Sequence, residues 1–127
     1  MIRRHLLLAL PAFALLGCAT PSSEPPILVF FEADSAALEG AAVDLIRGAA
    51  ASAARQPGSP VQVLGFAGTT GGRPYNVALS RSRAEHVADE LRKAGVASGR
   101  IRVSARGPVP FELAEQESRR VEIRFGE

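Results

Sequence analysis

The order in which two kinds of apolar pattern follow one another constrains this chain most. Ile27 to Phe31 (ILVFF) is a continuous β-branched and aromatic run, the pattern of a strand buried on both faces. From Leu38 to Arg55, Leu38, Ala42, Leu45, Ile46, Ala49 and Ala53 recur three and four apart, which makes one stripe of a helix. Gln56-Pro57-Gly58 ends it, and Asp34 and Ser35, both good N-cap types, are expected to cap its start. Val61 to Phe66 (VQVLGF) reads as a second strand. Gly68-Thr69-Thr70-Gly71-Gly72 is a flexible loop opening a second helix. Pro74 suits the first turn of that helix, and Tyr75, Leu79, Val87, Ala88 and Leu91 form its apolar face until Gly95 stops it. Ile101 to Ala105 and Arg119 to Phe125 are two further strands, the last alternating Val121, Ile123 and Phe125 with Arg120, Glu122 and Arg124. The prediction is an α/β fold of order β-α-β-α-β-β: a two-layer sandwich with a mixed four-stranded sheet, right-handed crossovers and both helices on one face.

With 127 residues there is room for one domain. Apolar residues at 46% with 22% charged give an ordinary globular balance, so the bulk of the chain can bury enough surface to offset its conformational entropy. The pI near 9.3 invites a nucleic-acid reading. It weakens once the charges are placed: of the 15 Lys and Arg, Arg3 and Arg4 lie near the start, leaving 13 against 13 Asp and Glu. A neutral chain lacks the basic excess that phosphate binding needs. The six Phe and one Tyr do not alternate with basic residues along one stretch as a base-stacking surface would.

Met1 to Gly17 has a basic start (Arg3, Arg4, His5) and an apolar run from Leu6 to Leu16, about half the ~20 residues needed to span a bilayer. It reads as a signal peptide. Leu15-Leu16-Gly17-Cys18 resembles the bacterial lipobox, in which the thiol is acylated before cleavage ahead of it. Cys18 is the one cysteine, so no internal disulfide is possible, and lipidation explains an unpaired thiol in an exported protein. Several acyl chains of the palmitate kind anchor a protein stably where one would not, at about 0.8 kcal/mol per buried CH₂. Ala19 after the cysteine implies, by resemblance to sorted lipoproteins, passage to the outer membrane. Ala19 to Pro26 (ATPSSEPP) reads as a tether, with a reach of roughly 27 Å at most. The expected organisation is a leader at 1–17, a lipidated cysteine and tether at 18–26, and one domain at 27–127.

Four stretches resemble the OmpA C-terminal-like domain of the peptidoglycan-associated lipoprotein type: VFFEADSAAL (Val29 to Leu38), the GF…G…YN..LS..RA run (Gly65 to Ala84), the GV…RI step (Gly95, Val96, Arg100, Ile101) and RRVEI (Arg119 to Ile123). Together they cover nearly all of residues 27–127. The resemblance implies a non-catalytic, periplasm-facing module that grips the diaminopimelate residue of peptidoglycan stem peptides and ties the outer membrane to the wall.

Arg83 stands out without the family. It lies four residues after Leu79 and four before Val87, near the apolar stripe, where an Arg must snorkel, pair internally or meet an anion. Its planar fork suits a carboxylate, and the resemblance assigns it the ligand's carboxylate. Gly68, Thr69, Thr70, Gly71 and Asn76 complete the expected ligand-binding set, the loop through backbone N–H groups and Asn76 through the matching YN motif. Two departures matter. Where relatives carry an Asp that holds the ammonium end of diaminopimelate, this sequence has Gly68, and Ser118 stands where an Asn usually precedes Arg119. Losing that charge-assisted bond costs roughly 1.5 to 3 kcal/mol, about ten- to a hundred-fold in affinity.

Other constellations are bland. His86 has no second His or Cys at metal spacing, so no metal or cofactor is expected and the position reads as solvated. Gly68 to Gly72 lacks the Gly-Lys-Ser/Thr ending of a P-loop, and no serine sits in a G-x-S-x-G elbow. Arg119 and Arg120 are expected to pair within the domain rather than touch ligand. The expectation is a lipid-anchored wall-binding protein and not an enzyme. Its alternative is a degenerate module that serves a protein partner in an envelope complex.

Overall fold

A computed structural model of the chain describes residues 24–127; the expected leader, Cys18 and the expected tether up to Ser23 lie outside the described residues. The expected elements follow in order: β1 (Ile27–Phe30), α1 (Ala41–Ala54), β2 (Val61–Ala67), α2 (Arg73–Lys93), β3 (Ile101–Pro108) and β4 (Arg120–Phe125), with 3₁₀ turns at Ser98–Arg100 and Glu115–Ser118. The sheet order is β1-β4-β2-β3. β2 and β3 are parallel, joined by the α2 crossover, while β4 runs antiparallel to both β1 and β2. This is the mixed four-stranded sheet that the periodicity predicts, with both helices packed on one face.

The core lies between that face and the helices: Val29 and Phe31, Ile46, Ala49 and Ala53 of α1, Val61 and Val63 of β2, Ala84, Val87 and Leu91 of α2, and Val121 and Ile123 of β4. Ile27 and Phe125, partly buried, pack against it from the two ends of that Val29 to Ile123 span. Arg100 explains the GV…RI spacing: its guanidinium donates to the carbonyls of Ala53, near the end of α1, and of Gln56 and Ser59 in the turn that follows, tying that turn to the start of β3.

Three expectations are corrected. The ILVFF run is not buried on both faces. β1 is an edge strand covered by helices on one side, so Val29 and Phe31 are buried while Leu28 and Phe30 stay 37% and 43% exposed. A continuous apolar run does not distinguish the two cases. Asp34 and Ser35 do not cap α1, which starts later, after Gly40, with no side-chain cap. Asp34 instead takes a left-handed conformation (φ 54°), and its carboxylate accepts a hydrogen bond from the Tyr75 hydroxyl at 3.1 Å. Finally, Leu45 on α1 is half-exposed, and the buried stripe at the start of α2 is Asn76, Ser80 and Arg83 rather than Tyr75 and Leu79.

That polar start follows from close approach. A Cβ at Gly65 would lie 1.9 Å from the Ser80 carbonyl oxygen, so α2 rests directly on the β2 backbone. Only small or hydrogen-bonding side chains fit there. Ser80 Oγ donates to Val77 O (2.8 Å) and accepts from the Gly107 N–H (3.0 Å), tying the helix to the end of β3.

Candidate functional site

β1 and β2 run the same way, both antiparallel to β4, so their C-terminal ends share one end of the sheet. The connections that leave those ends surround a crevice of about 190 Å³. Ala33 and Asp34 come from the β1–α1 connection, Gly68 and Thr70 from the β2–α2 loop, Asn76, Leu79 and Arg83 from α2, and Glu115 and Arg119 from the β3–β4 connection. Of the ligand-binding set expected from sequence, Gly68, Thr70, Asn76 and Arg83 meet here. Thr69 and Gly71 do not line the crevice, and Cys18 lies outside the described residues.

Arg83 neither snorkels nor stands free. It is fully buried, the largest side chain to be so. Its Nε donates to Ser35 O (2.8 Å), one terminal nitrogen to Phe66 O and the other to Glu32 O (both 3.1 Å), and the guanidinium lies 5.3 Å from the Phe31 ring centre. It therefore clamps the β1–α1 connection to the end of β2. No carboxylate pairs with it among the described residues: three carbonyl dipoles hold the cation under the crevice. Burial, and next the neighbouring Arg119, lower its pKa below the ordinary guanidinium value. Both causes disfavour the charged form, and an anion arriving here would relieve them.

Two more α2 side chains hold the same connection: Tyr75 through Asp34, and His86, whose Nδ1 lies 2.6 Å from Ala36 O. His86 is exposed, as expected, but anchored. The bond to Asp34, then burial, raises the Tyr75 hydroxyl above its ordinary 10.0. Asn76 is buried, and its side-chain amide donates to Thr70 O (3.0 Å), fixing the loop.

Sequence reasoning missed Asp34, Glu115 and Arg119 as crevice residues. Arg119 Nε donates to Phe31 O (3.1 Å), and its terminal N–H groups have no hydrogen-bond partner among the described residues. Arg120, by contrast, pairs internally as expected, with Glu122 and the Glu117 carbonyl. Glu115 is brought over by a local turn: the Glu117 carboxylate accepts from the backbone N–H groups of Glu112, Leu113 and Ala114, folding the connection back. Those bonds, that of Glu112 foremost, hold the Glu117 carboxyl below its ordinary pKa of 4.5.

Gly68 and Ser118, the two departures from the family pattern, are neighbours. A Cβ at Gly68 would lie 3.3 Å from Ser118 Oγ, which is buried and donates to Glu115 O (2.7 Å). The crevice thus sets two guanidinium groups, Arg83 below and Arg119 beside, against the carboxylates of Asp34 and Glu115. No group of three or more potential metal ligands occurs among the described residues, and no helix among them is long and apolar enough to cross a membrane.

Residues 30–123 match the model of the OmpA family. The chain is 36% identical over 104 residues to the probable lipoprotein YiaD of Escherichia coli, covering 77% of this chain and 48% of that protein. It is 41% identical over 73 residues to the peptidoglycan-associated lipoprotein of Legionella pneumophila, covering 53% of this chain and 42% of that protein. The chain thus spans about half the length of these relatives. Among solved structures, the peptidoglycan-associated lipoprotein of Burkholderia pseudomallei superposes with a TM-score of 0.72 at 24% identity, over 77% of this chain and 88% of that one. The C-terminal domain of Helicobacter pylori MotB superposes with a TM-score of 0.70 at 25% identity, over 82% of this chain and 86% of that one. Motifs, topology and comparisons agree: the chain belongs to the OmpA family, with a domain of the peptidoglycan-associated lipoprotein type.

Proposed function

We propose that this domain binds the stem peptide of peptidoglycan in the crevice and, held by lipid on Cys18, links the outer membrane to the wall without catalysis. The observation that carries this reading is the pairing of opposite charges in a small space. Arg83 and Arg119 offer a carboxylate their unpaired positive charge, while Asp34 and Glu115 face an ammonium. A zwitterionic amino-acid head such as that of diaminopimelate carries both groups. At about 190 Å³ the crevice falls below the roughly 300–1,000 Å³ of drug-sized sites, which suits the end of a peptide. Arg119 makes the direct contact and Arg83 supports it from beneath. Asp34 and Glu115 take the role of the acid that position 68 lacks. The names of the peptidoglycan-associated relatives point the same way.

Glu24 and Pro26 precede β1, so the tether enters at the opposite end of the sheet from the crevice. Anchor and wall site do not compete for one surface. Fractionation tests the anchor: Cys18→Ser is expected in the soluble fraction, and its recovery in salt-washed membranes would refute that part. Titration of diaminopimelate-containing muropeptides by calorimetry tests the crevice, with Arg119→Ala expected to lose at least about ten-fold, one charge-assisted contact. The second reading, a protein-interaction module, draws on the joint change of Gly68 and Ser118. An unaltered titration in Arg119→Ala, or none in the parent, favours it.

A further inference from the structure

Among the described residues the helices cover one face of the sheet and leave the other open. Strand alternation puts Leu28 and Phe30 of β1, Arg120, Glu122 and Arg124 of β4, Gln62, Leu64 and Phe66 of β2, and Arg102, Ser104 and Arg106 of β3 on that face. Four arginines stand there against one glutamate. Glu122 is nearly buried and held between Arg120 (3.0 Å) and Arg124 (2.6 Å). The strand residues of this face carry +3, and Glu24 and Glu127, which line the same cleft, bring the face to +1. Arg102 and Arg106 supply the positive charge that Glu122 does not pair, in a chain of formal charge +2.

The apolar residues are interleaved with the cations. Phe30 pairs with Arg120 across the β1–β4 ladder, and the Arg120 guanidinium lies 4.2 Å from the centre of the Phe66 ring. Arg106 sits at the bulge in the β2–β3 register beside Phe66. Arg102 and Arg106 are exposed and make no hydrogen bond or ion pair among the described residues. A cleft of about 640 Å³ runs along this face, and Glu24 and Pro26, the first described residues of the tether, line its far end together with Glu127. Those acids lie where the chain enters and leaves, clear of the Arg106–Phe66–Arg120–Phe30 row.

We propose that this open sheet face docks on anionic phospholipid head groups and seats the domain on the bilayer beside its anchor. The proposal rests on Cys18 as the membrane attachment. From Cys18 to Glu24 the chain spans six residue steps, a reach of roughly 20 Å, so the face that borders the tether's entry is held within that distance of the head groups. Exposed arginines mixed with phenylalanine and leucine are the composition of an interfacial surface, the cations meeting phosphates and the rings entering the head-group layer. The cleft on this face and the crevice share no lining residue, so a domain seated this way keeps its wall site open.

The test is co-sedimentation of the chain beginning at Ala19, free of acyl groups, with phosphatidylcholine vesicles that contain or lack phosphatidylglycerol. Binding is expected only with the anionic lipid and is lost at about 1 M salt, where the screening length falls to about 3 Å. Each arginine near an anionic surface contributes about five-fold in affinity. Arg102→Gln with Arg106→Gln is therefore expected to weaken vesicle binding about 25-fold, leaving melting temperature and muropeptide titration unchanged. No binding at low salt, equal binding to both vesicle types, or an unaltered double variant overturns the proposal. So does capture by polyglutamate without vesicle binding, which would assign the face to an acidic protein segment. Because the chain used carries no lipid and these arginines lie outside the crevice, failure here is distinct from failure of the anchor or of the wall site.

Discussion

Arg83→Ala is the sharpest test of what the buried guanidinium does. The substitution removes three donors, at 2.8, 3.1 and 3.1 Å, and empties the largest fully buried side chain of the domain. Hydrogen bonds from a charged donor contribute about 1.5–3 kcal/mol each. They do not simply add. The Glu32 and Ser35 carbonyls lie in a surface connection that can take up water once the clamp opens, and losing the cation also removes its own desolvation cost. The Phe66 carbonyl at the end of β2 and the vacated volume have no such relief. The expected loss is about 3–5 kcal/mol, from the cavity left by a large buried side chain together with the lost charged-donor bonds. At about 4–8 °C per kcal/mol for a domain of this size, the melting temperature should fall by at least about 12 °C. Arg83→Lys keeps the charge but lacks the planar fork that spans three carbonyls, so it should recover only part of the loss. Thermal melts followed by circular dichroism decide the matter. An alanine variant that melts within about 4 °C of the parent, a difference of 1 kcal/mol or less, would refute the clamp and return Arg83 to the free ligand-side position that the sequence suggests.

Gly65→Ala should destabilise by more than about 3 kcal/mol or prevent folding, because its Cβ would collide with the Ser80 carbonyl at 1.9 Å and overpacking against backbone has little relief; expression and urea melts measure it. Gly68→Asp should cost less than about 1 kcal/mol, since the position is not in the left-handed region and only Ser118 Oγ, 3.3 Å away, must shift. The same variant should tighten muropeptide binding about ten-fold by adding an acid to the crevice; a stable variant with no gain would favour the interaction reading. At Glu122, burial raises the pKa, but the bonds from Arg124 and Arg120 outweigh it and leave the carboxyl below its ordinary 4.5. A depressed folded-state pKa stabilises above the unfolded value, so this contribution is present at neutral pH and is lost as the pH falls through the folded value. Glu122→Gln should therefore lower the melting temperature at pH 7 and flatten its fall below about pH 4, where carboxyls of ordinary pKa titrate.

Element order, parallel pair and one-sided helices were legible because local patterns carry them: helical spacing in α1 and the later part of α2, alternation in β4, Pro74 and Gly95 at the ends of α2. The buried start of α2 was not. Asn76, Ser80, Arg83 and Ala84 follow the same three-and-four spacing as Val87, Ala88 and Leu91, but polar residues hide the stripe from a search for apolar ones. Buried polar residues at helical spacing beside a glycine in the facing strand are the signal that would have found it. Asp34 and Glu115 left no such trace. One depends on a left-handed turn held by a tyrosine 41 residues away, the other on a carboxylate that folds the β3–β4 connection over the crevice. Such placements come from tertiary contact and not from local propensity. For the same reason the edge position of β1 escaped the ILVFF run: strand order is a property of the whole sheet.

In the proposed function the paired charges of the crevice hold the wall. Co-sedimentation with diaminopimelate-type sacculi measures this most directly, comparing the chain from Ala19 with its Asp34→Asn, Glu115→Gln variant. Asn tolerates the left-handed conformation at position 34 and both changes preserve shape, so the melting temperature should hold. The parent is expected to bind, free diaminopimelate to compete, and the variant to bind at least about ten-fold more weakly as its two ammonium-facing charges are lost. Equal binding by parent and variant, or a parent that stays in the supernatant, would contradict it.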